Sequence, residues 1–118
     1  MTTDLCFTPA RKLAHLVRTR KVSASEVMRA FIAQIERLNP KVNAIVTFVP
    51  EQALKAAKAL DRKKSPAPLA GLPIAYKDLV VTKGIRTTFG SPIYADNVPT
   101  ENHLIVERLS AAGTMTIG

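Results

Sequence analysis

The chain has 118 residues, 47% of them hydrophobic, and a formal net charge of +8. That length fits one small domain or part of a larger one, and buries only a modest fraction of its surface. Cys6 is the single cysteine, which excludes an intrachain disulfide and suits a reducing, cytoplasmic location. His15, His103 and Cys6 stand far apart without metal-ligand spacing, so no metal and no cofactor is expected.

The opening Met-Thr-Thr-Asp-Leu-Cys-Phe-Thr-Pro has no basic region followed by an apolar core, so no signal peptide is expected. The spacing then predicts a helix capped by Thr8, with Pro9 in its first turn and Leu13, Leu16 and Val17 on one face. Ser23 and Glu26 form a capping box, and Val27, Phe31, Ile35 and Leu38 follow at helical spacing until Asn39-Pro40 ends the helix. Val42 to Val49 reads as a strand rich in β-branched residues. The apolar run inside it is interrupted by Thr47 and is too short to span a bilayer, so no membrane partner is expected. Pro50 opens a third helix with Ala53, Leu54, Ala57 and Leu60 inward, and Lys63 to Pro68 is a proline-broken surface link.

The second half is built around Leu69 to Ser91. The apolar run Leu72-Pro73-Ile74-Ala75-Tyr76 predicts a strand that ends at Lys77-Asp78, and Gly84, Thr87, Thr88, Gly90 and Ser91 mark a tight loop behind it. A lysine at a strand end among apolar residues is expected to be half-buried, and burial of an unpaired ammonium lowers its pKa toward that of a usable base. Spacing alone leaves a solvated rim lysine open as the alternative. Pro92 to Pro99 reads as loop, Asn102 as the cap of a helix carrying Ile105, Leu109 and Ala112, and Gly113 as its end. Thr114 to Ile117 is then a strand parallel to an earlier one.

Charge is uneven. Residues 1–64 hold thirteen Lys/Arg against five Asp/Glu, the whole excess of +8, whereas residues 65–118 hold four of each. No stacking aromatic pair and no recognition-helix pattern accompanies the basic half, so a solvated face is expected there and nucleic acid is not an expected partner.

The pattern Gly71-Leu-Pro-Ile-Ala-Tyr-Lys77-Asp78, followed by Gly84-Ile-Arg-Thr87-Thr88-Phe-Gly90-Ser91, resembles the amidase signature family. So do Pro99, Val106-Glu-Arg108-Leu109-Ser-Ala-Ala112-Gly113 and the earlier Asn39-Pro40-Lys41-Val42-Asn43-Ala44. The resemblance implies an α/β fold: amino-terminal helices and the first strands of a mixed sheet, truncated. It makes 1–118 the amino-terminal part of one amidase domain, with 1–64 mainly helical and basic and 65–118 carrying the Lys-Asp motif. It implies hydrolysis of carboxylic amides by a Ser-Ser-Lys triad in which Lys77 is the base, by a plain amidase or, alternatively, by the amidase subunit of a tRNA-dependent amidotransferase. A non-catalytic basic module on a partial amidase scaffold is the remaining alternative.

The family's two serines lie in a later Gly-Ser-Ser-Gly stretch. Ser23, Ser25, Ser65, Ser91 and Ser110 have no such context. The 118 residues alone are therefore expected to be inactive. The partners implied are a small-molecule amide substrate and the remainder of the domain, with room for a homo-oligomer.

Overall fold

The computed structural model describes residues 2–63 and 67–118. The middle of the link expected from Lys63 to Pro68 lies outside them. Helices α1 (Thr2–Cys6), α2 (Ala10–Arg18), α3 (Ala24–Val42) and α4 (Pro50–Arg62) come first, and β1 (Pro73–Ile74), a 3₁₀ turn (Pro92–Tyr94), α5 (Leu104–Ala111) and β2 (Met115–Thr116) follow. β1 and β2 pair in parallel, Pro73 opposite Met115 and Ile74 opposite Thr116. The chain is thus helix-rich with a small parallel sheet, as the α/β reading requires.

The core forms where α3 and α4 cross beneath the sheet. Ala24, Met28, Ala53 and Ala57 are buried against Met115 and Ile117 of the β2 region, with Val17, Phe31, Ile35, Phe48 and Leu60 packed around them. Three alanines at this contact let the two helix backbones approach closely, and Met28 fills the irregular space between them.

One carboxylate ties the helices together at their ends. Asp61 near the end of α4 accepts hydrogen bonds from the backbone N–H groups of Ala24 (2.7 Å) and Ser25 (3.1 Å), and from the Ser25 hydroxyl. These amides are orphan donors at the start of α3, where a negative charge also complements the helix dipole. The Ser23–Glu26 capping box forms as expected, with both of its hydrogen bonds in place.

Several local expectations are corrected. Thr8 does not cap α2: its hydroxyl donates to the Asp4 carbonyl at 2.7 Å, closing α1, and Pro9 takes the N-cap position without a side-chain bond. Pro40 does not stop α3, which runs to Val42 and ends at Asn43 in the left-handed conformation, φ 49°. Pro40 forfeits its own bond to the fourth residue before it, and the helix continues only two residues beyond it.

Nor is Val42 to Val49 a strand. The Asn39 side chain holds Ile45 from both sides, donating to its carbonyl and accepting from its amide, each at 2.9 Å. An amide side chain thereby replaces a neighbouring strand, and only Val49 N–H reaches the sheet region, donating to the Ile117 carbonyl at 3.1 Å.

The segments that enter β1 and β2 lie against each other. Leu69 N–H donates to the Ala112 carbonyl (2.8 Å) and Gly71 N–H to that of Gly113 (3.1 Å). Gly113 has φ 100°, and a Cβ there would stand 2.7 Å from Ala70 Cα, so only glycine permits this approach. α5 is capped by His103, whose Nδ1 accepts from Ile105 N–H at 3.2 Å, and not by Asn102. Val106 is its buried residue, while Ile105 is exposed.

Candidate active site

Lys77 stands where the sheet ladder gives out. Tyr76 N–H donates to the Gly118 carbonyl at 3.0 Å, the last rung, and Val80 N–H donates to the Lys77 carbonyl at 2.8 Å, the first bond of the turn. Lys77 is exposed, at the rim of a cleft of about 250 Å³ whose other walls are the 44–47 segment, Gly118 and the 80–87 loop. The half-burial expected of Lys77 is not found: the described residues leave this rim open, and no hydrogen bond or ion pair reaches its ammonium among them.

Asp78, its neighbour, is engaged elsewhere. Oδ1 accepts from Thr88 N–H at 2.8 Å and Oδ2 from the Thr88 hydroxyl, while Phe89 N–H donates to the Asp78 carbonyl at 2.9 Å. Burial pushes the Asp78 carboxyl up, but the Thr88 hydroxyl, the Thr88 and Gly90 amides and the Arg86 guanidinium together hold it below the ordinary carboxylate range. Asp78 is therefore a fixed anion that clamps the loop.

The loop is held at further points. Thr87 N–H donates to the Asn97 carbonyl and the Asn97 side chain to the Thr87 carbonyl, both at 2.9 Å. Gly84 N–H donates to Pro99 O at 3.0 Å, Lys83 N–H to Asn102 Oδ1 at 2.7 Å, and His103 N–H to Val81 O at 2.8 Å. Thr87 is buried, its hydroxyl spent on the Ile85 carbonyl, and Ser91 closes the 3₁₀ turn. These hydrogen bonds hold the loop beside Lys77 in shape. The Asn97 clamp was not read from the sequence, where Pro92 to Pro99 is only a loop.

The opposite wall approaches as closely. A Cβ at Gly118 would stand 2.5 Å from Ile45 Cγ2 and 2.9 Å from the Thr47 carbonyl. The Tyr76 hydroxyl and Thr47 Oγ1 are buried and have no hydrogen-bond partner among the described residues, and both residues line the cleft. Among the described residues no cluster of His, Cys, Asp and Glu could hold a metal ion, and no helix is long and apolar enough to cross a membrane. No serine among the described residues lines the cleft.

A family model described as amidase matches residues 26–118. The chain belongs to the amidase signature family. Its sequence is 45% identical over 105 residues to a subunit of the glutamyl-tRNA(Gln) amidotransferase of Geobacter metallireducens, a match that covers 86% of this chain and 22% of that protein. Among solved structures, 6-aminohexanoate cyclic dimer hydrolase superposes with TM-score 0.85 at 29% identity over 98% of this chain and 23% of its own. Fatty acid amide hydrolase superposes with TM-score 0.91 over 98% of this chain and 21% of its own; at 22% identity that likeness shows the fold alone. The chain thus spans about a quarter or less of the relatives it matches.

Proposed function

We propose that this chain supplies the general base of an amide-cleaving enzyme of the glutamyl-tRNA(Gln) amidotransferase kind. The neutral amine of Lys77 takes a proton from a bridging serine, which deprotonates the serine that attacks the amide carbon. Collapse of the tetrahedral intermediate expels ammonia or an amine, and water releases the acyl group through the same relay. Both serines come from outside these 118 residues.

The observation that carries this reading is the division of labour between Lys77 and Asp78. A carboxylate paired with Lys77 would stabilise its ammonium and oppose a base. Asp78 is instead committed to Thr88, and no described carboxylate is paired with Lys77.

The 45% identity to an amidotransferase component supports the transferase form, in which the released nitrogen passes to an acceptor and the complete protein works with partner subunits. A free-standing amidase is the second reading, favoured by the 29% identity to a cyclic dimer hydrolase. The full-length protein should be purified from its native host and its co-purifying subunits identified, and ammonia release should be measured with and without glutamyl-tRNA. Stoichiometric partner subunits and release stimulated by the charged tRNA support the transferase. A monomer that turns over amides at an unchanged rate supports the amidase.

A further inference from the structure

We infer that Asn39 is a positioning residue for the cleft beside Lys77: its side chain seats the 44–47 segment that forms one wall of that cleft. The inference rests on the amide-cleaving function proposed above and adds to it a residue that sets how well substrate binds.

The wall is a connection with little to hold it. It leaves α3 at Asn43, which is in the left-handed conformation, and reaches α4 at Pro50. Among the described residues, the backbone between Asn43 and Val49 makes hydrogen bonds only at Ile45. Both go to the Asn39 side chain, whose Oδ1 accepts from the amide and whose Nδ2 donates to the carbonyl, each at 2.9 Å. The next anchor is Val49 N–H, on the Ile117 carbonyl at 3.1 Å. A segment with so few backbone hydrogen bonds opens locally at little cost.

Asparagine suits this task. It carries an acceptor and a donor on one short arm and so meets the amide and carbonyl of a single residue together. Aspartate keeps the shape but, when ionised, has no donor for the carbonyl. Alanine has neither group.

The wall is continuous with the strand that leads to the lysine. A Cβ at Gly118 would stand 2.5 Å from Ile45 Cγ2, so Ile45 lies directly on that glycine. The Gly118 carbonyl in turn accepts from Tyr76 N–H at 3.0 Å, one residue before Lys77. Ile45, Gly118, Tyr76 and Lys77 line one cleft of about 250 Å³, and Asn39 stands outside its lining. Asn39 therefore acts through Ile45 and not on substrate.

Without Asn39 the wall leaves its seat for part of the time, and only the seated fraction binds substrate. Apparent affinity falls by that fraction. Bound substrate holds the wall in place, so the rate at saturation is retained. Loss of Asn39 thus raises KM and spares kcat.

The test uses the full-length enzyme and whichever of acetamide, hexanamide and glutamine it cleaves fastest. Asn39→Ala should raise KM roughly tenfold or more, with kcat within about threefold of the parent. Hydrogen exchange at the Ile45 amide should quicken, while α3 and α4 keep the parent's protection. Asn39→Asp, which still accepts from the Ile45 amide, should raise KM by a smaller factor, and it replaces the alanine variant if that one does not fold. An unchanged KM in a folded variant, or a loss confined to kcat, overturns the inference while leaving amide cleavage standing. Failure of both variants to fold overturns it as well, since Asn39 would then hold the whole fold and not one wall. A folded parent that releases ammonia from none of the three amides, with or without glutamyl-tRNA, sinks the proposed function and this inference with it.

Discussion

The carboxylate of Asp78 grips Thr88 at both its amide and its hydroxyl, ten residues further along the chain, and Lys77 beside it has no ion-pair partner among the described residues. This clamp fixes the turn that follows the candidate base. It also makes a prediction about acid. The Asp78 carboxyl titrates below its ordinary value when folded, so its stabilisation is complete above the unfolded value of about 3.9 and is lost as pH falls from there through the folded value. Glu26 acts in the same sense, held low by the amide and hydroxyl of Ser23. Melting temperature should therefore drop as pH falls below about 4. Asp78→Asn should melt lower at neutral pH and show a shallower acid slope, and a mutant with the parent's slope would deny Asp78 this role.

A second prediction concerns Asp61. Removing its carboxylate takes three hydrogen bonds from the first turn of α3. Asp61→Ala should cost about 1–2 kcal/mol, the range of a lost helix cap, measured by urea unfolding. Loss of less than a few tenths would show that solvent replaces Asp61 without penalty.

Gly113 is expected to tolerate no side chain. At φ 100° a β-carbon would press on the Ala70 backbone at 2.7 and 2.9 Å, contacts that a side-chain shift cannot relieve. Gly113→Ala should destabilise by more than about 1 kcal/mol and lower the melting temperature by several degrees. A neutral Gly113→Ala variant would mean that the Ala70–Gly113 approach is looser than described.

The 118-residue chain by itself should release no ammonia from primary amides, since no serine among the described residues lines the cleft. Turnover by the pure chain that disappears in Lys77→Ala would place a nucleophile within these residues.

Much of the fold was legible because it is written in local chemistry. The Ser23–Glu26 box and Pro50 at the start of α4 follow from cap and proline chemistry, and a parallel partner for β2 among the earlier strands follows from the helix that precedes it. The failures were decided by partners distant in sequence or by competing side chains. Nothing local says that Asn39 will satisfy Ile45 in place of a strand, or that His103 will cap α5 because Asn102 is drawn 19 residues back to Lys83. At the site, Lys77 and the Asp78 loop were legible through their motif. The buried hydroxyls of Tyr76 and Thr47 were not, because these two residues, far apart in the chain, come to line one cleft only when the 44–47 segment packs against Gly118.

The assignment of Lys77 as base is tested most directly by Lys77→Arg in the full-length enzyme, assayed for amide hydrolysis alongside its melting temperature. Arginine keeps the positive charge and most of the stem, but a guanidinium does not give up its proton near neutral pH. The predicted result is a folded protein melting close to the parent, with activity down about 10²–10⁴-fold or more, as in Lys77→Ala. Substantial amide hydrolysis by a folded Lys77→Arg enzyme would contradict the assignment.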